Sequence, residues 1–114
     1  MHSNSAGVCD FLVLHADDNA GRGSSTASLL AKARIAEAAG LRFWISTNPL
    51  GHGFGAAMML HQYAVCPGAT MSGDILHHLR ESSLTTDPLT PVDGQLAVPD
   101  GPGLGVELDR DALD

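Results

Sequence analysis

The sequence predicts an α/β fold in which parallel strands are joined by helical crossovers. Short apolar runs alternate with longer stretches of helical character in the order strand–helix–strand–helix–strand, which implies parallel strands and right-handed connections. The predicted strands begin near residues 10, 41 and 69, a spacing of roughly thirty residues that matches one βα unit. A segment rich in turn residues then closes the chain: Pro99 to Gly105 holds two prolines and three glycines and cannot be helical.

Met1 to Gly7 is small and polar and reads as a frayed end. Asp10 to Leu14 is an acid followed by a continuous apolar run, the pattern of a strand buried on both faces. His15-Ala16-Asp17-Asp18-Asn19 ends it, and Gly21 to Thr26 is a Gly/Ser-rich loop. A helix begins near Thr26 or Ala27 with Ser25 or Thr26 as its N-cap. Leu29, Ala33 and Ala36 form its buried stripe, with Arg34 and Glu37 as neighbours on the exposed side. Gly40 stops the helix.

Leu41 to Ile45 is the second predicted strand, Ser46 to Gly55 the loop beyond it, and residues 56–65 a second helix ended by Pro67-Gly68. Ala69-Thr70-Met71 reads as a third, very short strand, and Ile75 to Arg80 as a short helical turn. Thr85 to Pro91 leads into a final hairpin whose turn is Asp93-Gly94, since glycine accepts the positive φ a tight turn demands.

Composition narrows the function. The 114-residue chain is less than half of the roughly 250 residues a complete (β/α)8 barrel takes. A net charge of −7 with a single lysine, Lys32, argues against nucleic acid, because a phosphate-binding surface needs clustered Lys and Arg. Cys9 and Cys66 are widely spaced and read as reduced thiols. No apolar run reaches the ~18 residues of a membrane span, and residues 1–8 lack the features of a signal peptide. The expectation is a cytoplasmic protein that binds neither nucleic acid nor membrane.

Residues 92–109, VDGQLAVPDGPGLGVELD, closely resemble the C-terminal signature of the mandelate racemase/muconate-lactonizing group of the enolase superfamily. ARIAEAAGL at 33–41 resembles that family's helix after the sixth barrel strand, and GFGAAMMLH at 53–61 its glycine-rich entry to the helix after the seventh. The resemblance implies a partial (β/α) barrel: the last three βα units of an enolase-type TIM barrel over residues 1–87. Residues 88–114 would be the C-terminal segment that returns to the capping domain. The chain is expected to be a fragment of that fold.

Barrel chemistry sits at the C-terminal ends of the strands. The family places a lysine or an aspartate at the end of its sixth strand, and that position falls on His15, an imidazole able to transfer protons near neutrality. Asp17 joins it as a candidate, although Asp17 and Asp18 equally read as caps of the following turn. The family's racemase-type histidine falls on Ser46, a poor base without a partner, and its muconate-lactonizing acid on Leu50 or Gly51. His52 is the nearby titratable group. The catalytic candidates are therefore His15, Asp17 and His52, and the substrate-binding candidates Ser46, Asn48 and Gly53. Gly53 and Gly55 would present backbone N–H groups to an anion or simply permit close packing. Asp74 reads as a helix N-cap, His77 and His78 as adjacent residues that form no metal pair, and His61 as structural.

The family abstracts a proton α to a carboxylate and stabilises the resulting enediolate on Mg²⁺. Its acidic metal ligands come from strands three to five and its lysine motif from strand two, none of which is in this chain. The expectation is a parent that racemises, dehydrates or cycloisomerises a small carboxylic acid with Mg²⁺, and a chain that is inactive alone and binds no metal. The alternative is a non-catalytic α/β module that binds a partner chain or a small acid. As part of a barrel, the chain would expose edges at Asp10–Leu14 and near Met71 and an inner face around Leu12, Leu14, Phe43 and Ile45. It would then associate with itself or with a missing N-terminal half.

Overall fold

Phe11–His15 forms strand β1 and Arg42–Ser46 strand β2, each starting and ending one residue later than the sequence pattern suggests. In this computed structural model, residues 7–16, 25–47 and 52–113 are described. The two strands pair in parallel with Phe11 opposite Arg42 and His15 opposite Ser46. Such a pair requires a crossover, which helix α1 (Thr26–Ala38) supplies.

Local chemistry sets the ends of α1. Ser25 is the N-cap, its Oγ accepting the Ser28 N–H at 3.2 Å. At the other end Gly40 takes φ 69°. The Gly40 N–H then reaches Glu37 O at 3.0 Å and the Leu41 N–H reaches Ala36 O at 2.9 Å, the paired bonds of a Schellman stop. Leu29, Ala33 and Ala36 are the buried residues of the helix, as its spacing predicts. Glu37, on the exposed side, also accepts the Gly68 N–H at 2.8 Å and ties down the turn after the second helix.

That helix, α2, spans Gly53–Ala64 and starts three residues earlier than predicted. The third predicted strand, Ala69–Met71, does not form. The position beside β2 is taken instead by Asp74, which makes an isolated parallel bridge to Ser46. The expected helical turn shortens to a 3₁₀ turn at His77–Leu79 with Leu76 in the cap position, so Asp74 is not its N-cap.

Leu14, Phe43 and Ile45 bury against Leu29, Ala33 and Ala36 of α1 and Met59 of α2, with Leu12 packed alongside. Two sequence expectations change as a result. Leu12, Leu14, Phe43 and Ile45 face the helices, not the inside of a barrel. Nor is β1 buried on both faces, because Phe11 and Val13 stay 44% and 40% exposed on the side without helices. The expected open edge near Met71 is not a strand edge, because no strand forms there. Among the described residues the outer edge of β1 has no strand partner, and that of β2 is bridged at Ser46 alone, by Asp74.

Asp93 and Gly94 both have positive φ, 51° and 75°, the signature of a type I′ turn. Val92 and Gln95 exchange both backbone hydrogen bonds at 2.9 Å across it. The hairpin goes no further, its arms leaving for other partners. Leu96 and Val106 pack with Leu89 against Ala56, Ala57 and Leu60 of α2, and Thr85 pairs antiparallel with Leu108. No helix among the described residues is long and apolar enough to cross a membrane.

Candidate active site

Alternation along β1 and β2 puts Phe11, Val13, His15, Arg42, Trp44 and Ser46 on the face turned away from the helices. The rings of Phe11 and Trp44 lie 5.4 Å apart across the strands, which confirms the shared face. In a β/α barrel the face without helices is the interior, and its C-terminal rim is the reactive end. The lower part of this face carries Phe11, Val13 and Trp44, with Arg42 at the N-terminal end of β2. Its C-terminal rung is polar: His15 opposite Ser46, and Ser46 opposite Asp74.

Within the rung the hydrogen bonds are specific. Ser46 Oγ donates its one proton between Thr47 O at 2.9 Å and Asp74 Oδ2 at 3.0 Å. Thr47 Oγ1 donates to the backbone carbonyl of Asp74 at 3.1 Å. Both side chains are buried, each 4% exposed, so their polar atoms must be paired internally. Ser46 therefore has the partner that the sequence reading denied it. The Tyr63 hydroxyl of α2 lies just outside the rung. It accepts the Ile45 N–H at 2.9 Å and donates to Met71 O at 3.1 Å. Burial pushes the Tyr63 pKa above its usual 10.0; the Ile45 N–H pulls it down, and the negative charge of Asp74 adds to the rise. Gly73 keeps this approach open, since a Cβ there would sit 2.9 Å from both Ile45 O and the tyrosine ring.

His52 caps the start of α2 without a side-chain capping bond, lies edge-on to Phe54 at 5.8 Å, and has a buried Nδ1 with no hydrogen-bond partner. No hydrogen bond joins it to the rung. The Gly53 N–H is engaged by Ser83 O at 2.8 Å, and a Cβ on Gly53 would collide with the Thr85 side chain. Close packing thus accounts for this glycine. Asp17 and Asn48 lie outside the described residues. His61 Nε2 meets Leu104 O at 3.1 Å on the outer side of α2. His77 is buried and bonded through Nε2 to Pro88 O at 2.8 Å, holding the connector in place. A cavity of about 630 Å³ between α2, residues 71–75 and residues 91–98 is lined mostly by apolar side chains; Tyr63 is on its wall, and none of the candidates read from the sequence is.

Sequence reading took Asp74 for a helix cap and missed Tyr63. The signal for Asp74 was present, because the interval of roughly thirty residues that leads from His15 to Ser46 leads on to it. Tyr63 gave no signal, since on a helix of small and apolar residues it reads as packing.

Mg²⁺ requires several converging oxygen ligands. Among the described residues no group of three or more His, Cys, Asp or Glu is placed to hold a metal ion, so these residues do not fit one. Cys66 is a buried thiol whose pKa is pushed up by burial and by the Glu37 charge, with Arg34 opposing.

Residues 6–112 match the family described as enolase C-terminal domain-like. Muconate cycloisomerase 1 of Rhodococcus opacus is 38% identical over 80 residues, covering 69% of this chain and 21% of that protein. Chloromuconate cycloisomerase of Pseudomonas putida is 36% identical over 88 residues, 76% of this chain and 24% of the relative. N-succinylamino acid racemase of Thermus thermophilus is 38% identical over 76 residues, 65% and 20%. The chain thus spans about a fifth to a quarter of the length of these relatives. With the family match running through β1, α1, β2, α2 and the C-terminal segment, this chain belongs to the enolase C-terminal domain-like family.

Proposed function

We propose that this chain supplies the closing strands of an enolase-type (β/α) barrel and, on them, part of a proton-transfer site for a small carboxylic acid. The whole enzyme would be a racemase, cycloisomerase or dehydratase. The observation that carries this reading is the polar rung His15–Ser46–Asp74 at the C-terminal end of the helix-free face. His15 is the residue assigned to take or return the proton at the α-carbon, a role its imidazole can fill near neutrality. Asp17 and Asn48 follow the ends of β1 and β2 in the chain and are assigned with it. His52 is a further acid–base candidate, Ser46 lines the substrate, and Gly53 lets α2 start close to residues 83–85.

Residues 1–87 form the barrel part in this reading, and 88–114 the segment that packs on α2 and leads to a capping domain. Magnesium belongs to the family's chemistry. The described residues do not fit it, so no residue here is assigned to the metal and no step is routed through it. The remaining strands of the barrel would lie outside these 114 residues.

The test is complementation. The chain is co-expressed with the Thermus thermophilus racemase from which the matching C-terminal portion has been removed. Exchange of the α-proton of an N-succinylamino acid for solvent deuterium is then followed by NMR with Mg²⁺ present. Exchange by the complex and by neither part alone is the expected result. A stable complex with no exchange would refute the assignment.

A further inference from the structure

Gln62 lies on the buried face of α2 and ranks with Phe43, Leu29 and Ile45 among the largest fully buried side chains. Its amide nitrogen is held by two acceptors, Ala16 O at 3.2 Å and Thr26 Oγ1 at 3.1 Å. A carbonyl oxygen can only accept, so the nitrogen of the amide must face Ala16. The amide oxygen is then turned away, buried and without a hydrogen-bond partner among the described residues. As core filling this is a poor choice, since an apolar side chain of similar volume would leave no orphaned acceptor. Packing therefore does not account for Gln62. Its two hydrogen bonds do.

Ala16 follows His15 directly at the end of β1. Its N–H donates to Ser46 O at 2.8 Å and its carbonyl accepts from Gln62, so it is held on both sides. Thr26, the first residue of α1, steadies the same amide from the helix layer. We infer that Gln62 is a positioning residue for His15: by fixing the Ala16 carbonyl it sets the backbone from which the imidazole is presented. This rests on the proposed function, which gives the α-proton to His15, and adds the group that holds that residue in place. A reacting group misplaced by about 1 Å loses much of its rate even when the change lies away from the chemistry.

Gln62→Met keeps the volume and removes both donors. In the ¹³C,¹⁵N-labelled full chain the Ala16 carbonyl signal should move upfield and the His15 ring signals should shift. Those of His77, bonded to Pro88 O, should stay in place. The melting temperature should hold within about 4 °C, because losing the bond to Ala16 is offset by removing the orphaned acceptor. In the complemented enzyme kcat for proton exchange should fall about tenfold, with KM within about twofold. Thr26→Val, at an exposed position, removes one of the two acceptors and should move the same signals in the same direction by less. It carries the test if Gln62→Met does not fold. Unmoved Ala16 and His15 signals, or lower melting with kcat unchanged, would overturn the inference and leave the proposed function intact. A stable unaltered complex that exchanges no proton would overturn both.

Discussion

The Tyr63 hydroxyl accepts the Ile45 N–H at 2.9 Å, so a helix side chain does for the outer edge of β2 what a neighbouring strand would otherwise do. Its proton goes on to Met71 O, which fastens the segment leading to Asp74 against the same edge. Removing that oxygen leaves a strand N–H and a carbonyl without this partner. Tyr63→Phe should lower stability by about 1–3 kcal/mol, read by urea denaturation. A change below about 0.3 kcal/mol would show that another group serves the edge equally well.

Tyr63 is the only tyrosine in the sequence, so phenolate absorbance reports it alone. Burial, together with the Asp74 charge, resists ionisation in the fold, and the midpoint should lie above the ordinary 10.0. The folded state then holds its proton more tightly than the unfolded one. This contribution is fully present below pH 10 and is lost as pH rises through the folded midpoint. Stability of the parent chain should fall above pH 10 more steeply than that of Tyr63→Phe. Parallel curves would remove Tyr63 from the account.

Gly73→Ala should destabilise by about 1–3 kcal/mol, because its methyl would meet Ile45 O and the Tyr63 ring, which cannot both retreat. The Ser46 and Asp74 amide signals should shift with it. A neutral effect on melting would mean that the 71–74 segment is not held against β2 as described.

The helix-free face of β1 and β2 exposes Phe11 and Val13 and leaves Trp44 half-buried. Burying a large apolar side chain contributes about 1.5–3 kcal/mol, enough to drive this face onto another copy or a complementing half. Sedimentation at micromolar concentration should show association, and Phe11→Ser with Val13→Ser should weaken it at least tenfold. A compact monomer whose melting is independent of concentration would favour a stand-alone module instead.

In the complemented enzyme His15→Ala should reduce kcat by about a hundredfold or more, the usual contribution of a general acid or base. His61→Ala should change it by less than threefold, because His61 bonds to Leu104 O away from the rung. Equal effects would put the assignment of the barrel face in doubt.

Sequence by itself determined what depends on neighbours a few residues away. Ser25, the stripe Leu29–Ala33–Ala36 and the stop at Gly40 define α1, and Asp93-Gly94 defines the tight turn. Each acts through its own backbone geometry or one helical turn. The family was legible for the same reason, in contiguous strings of residues. Which face of the strands met the helices was not legible, because Phe11 to Leu14 is apolar at every position and carries no alternation. Whether residues 69–71 or Asp74 would lie beside β2 also depended on the whole fold. That choice rests on Tyr63 and Thr47 binding the returning chain from elements distant in sequence. Ser46 and Asp74 lie 28 positions apart, and only the parallel arrangement of the strand ends, with the proton between them, made a pair of two residues that separately read as a weak base and a helix cap.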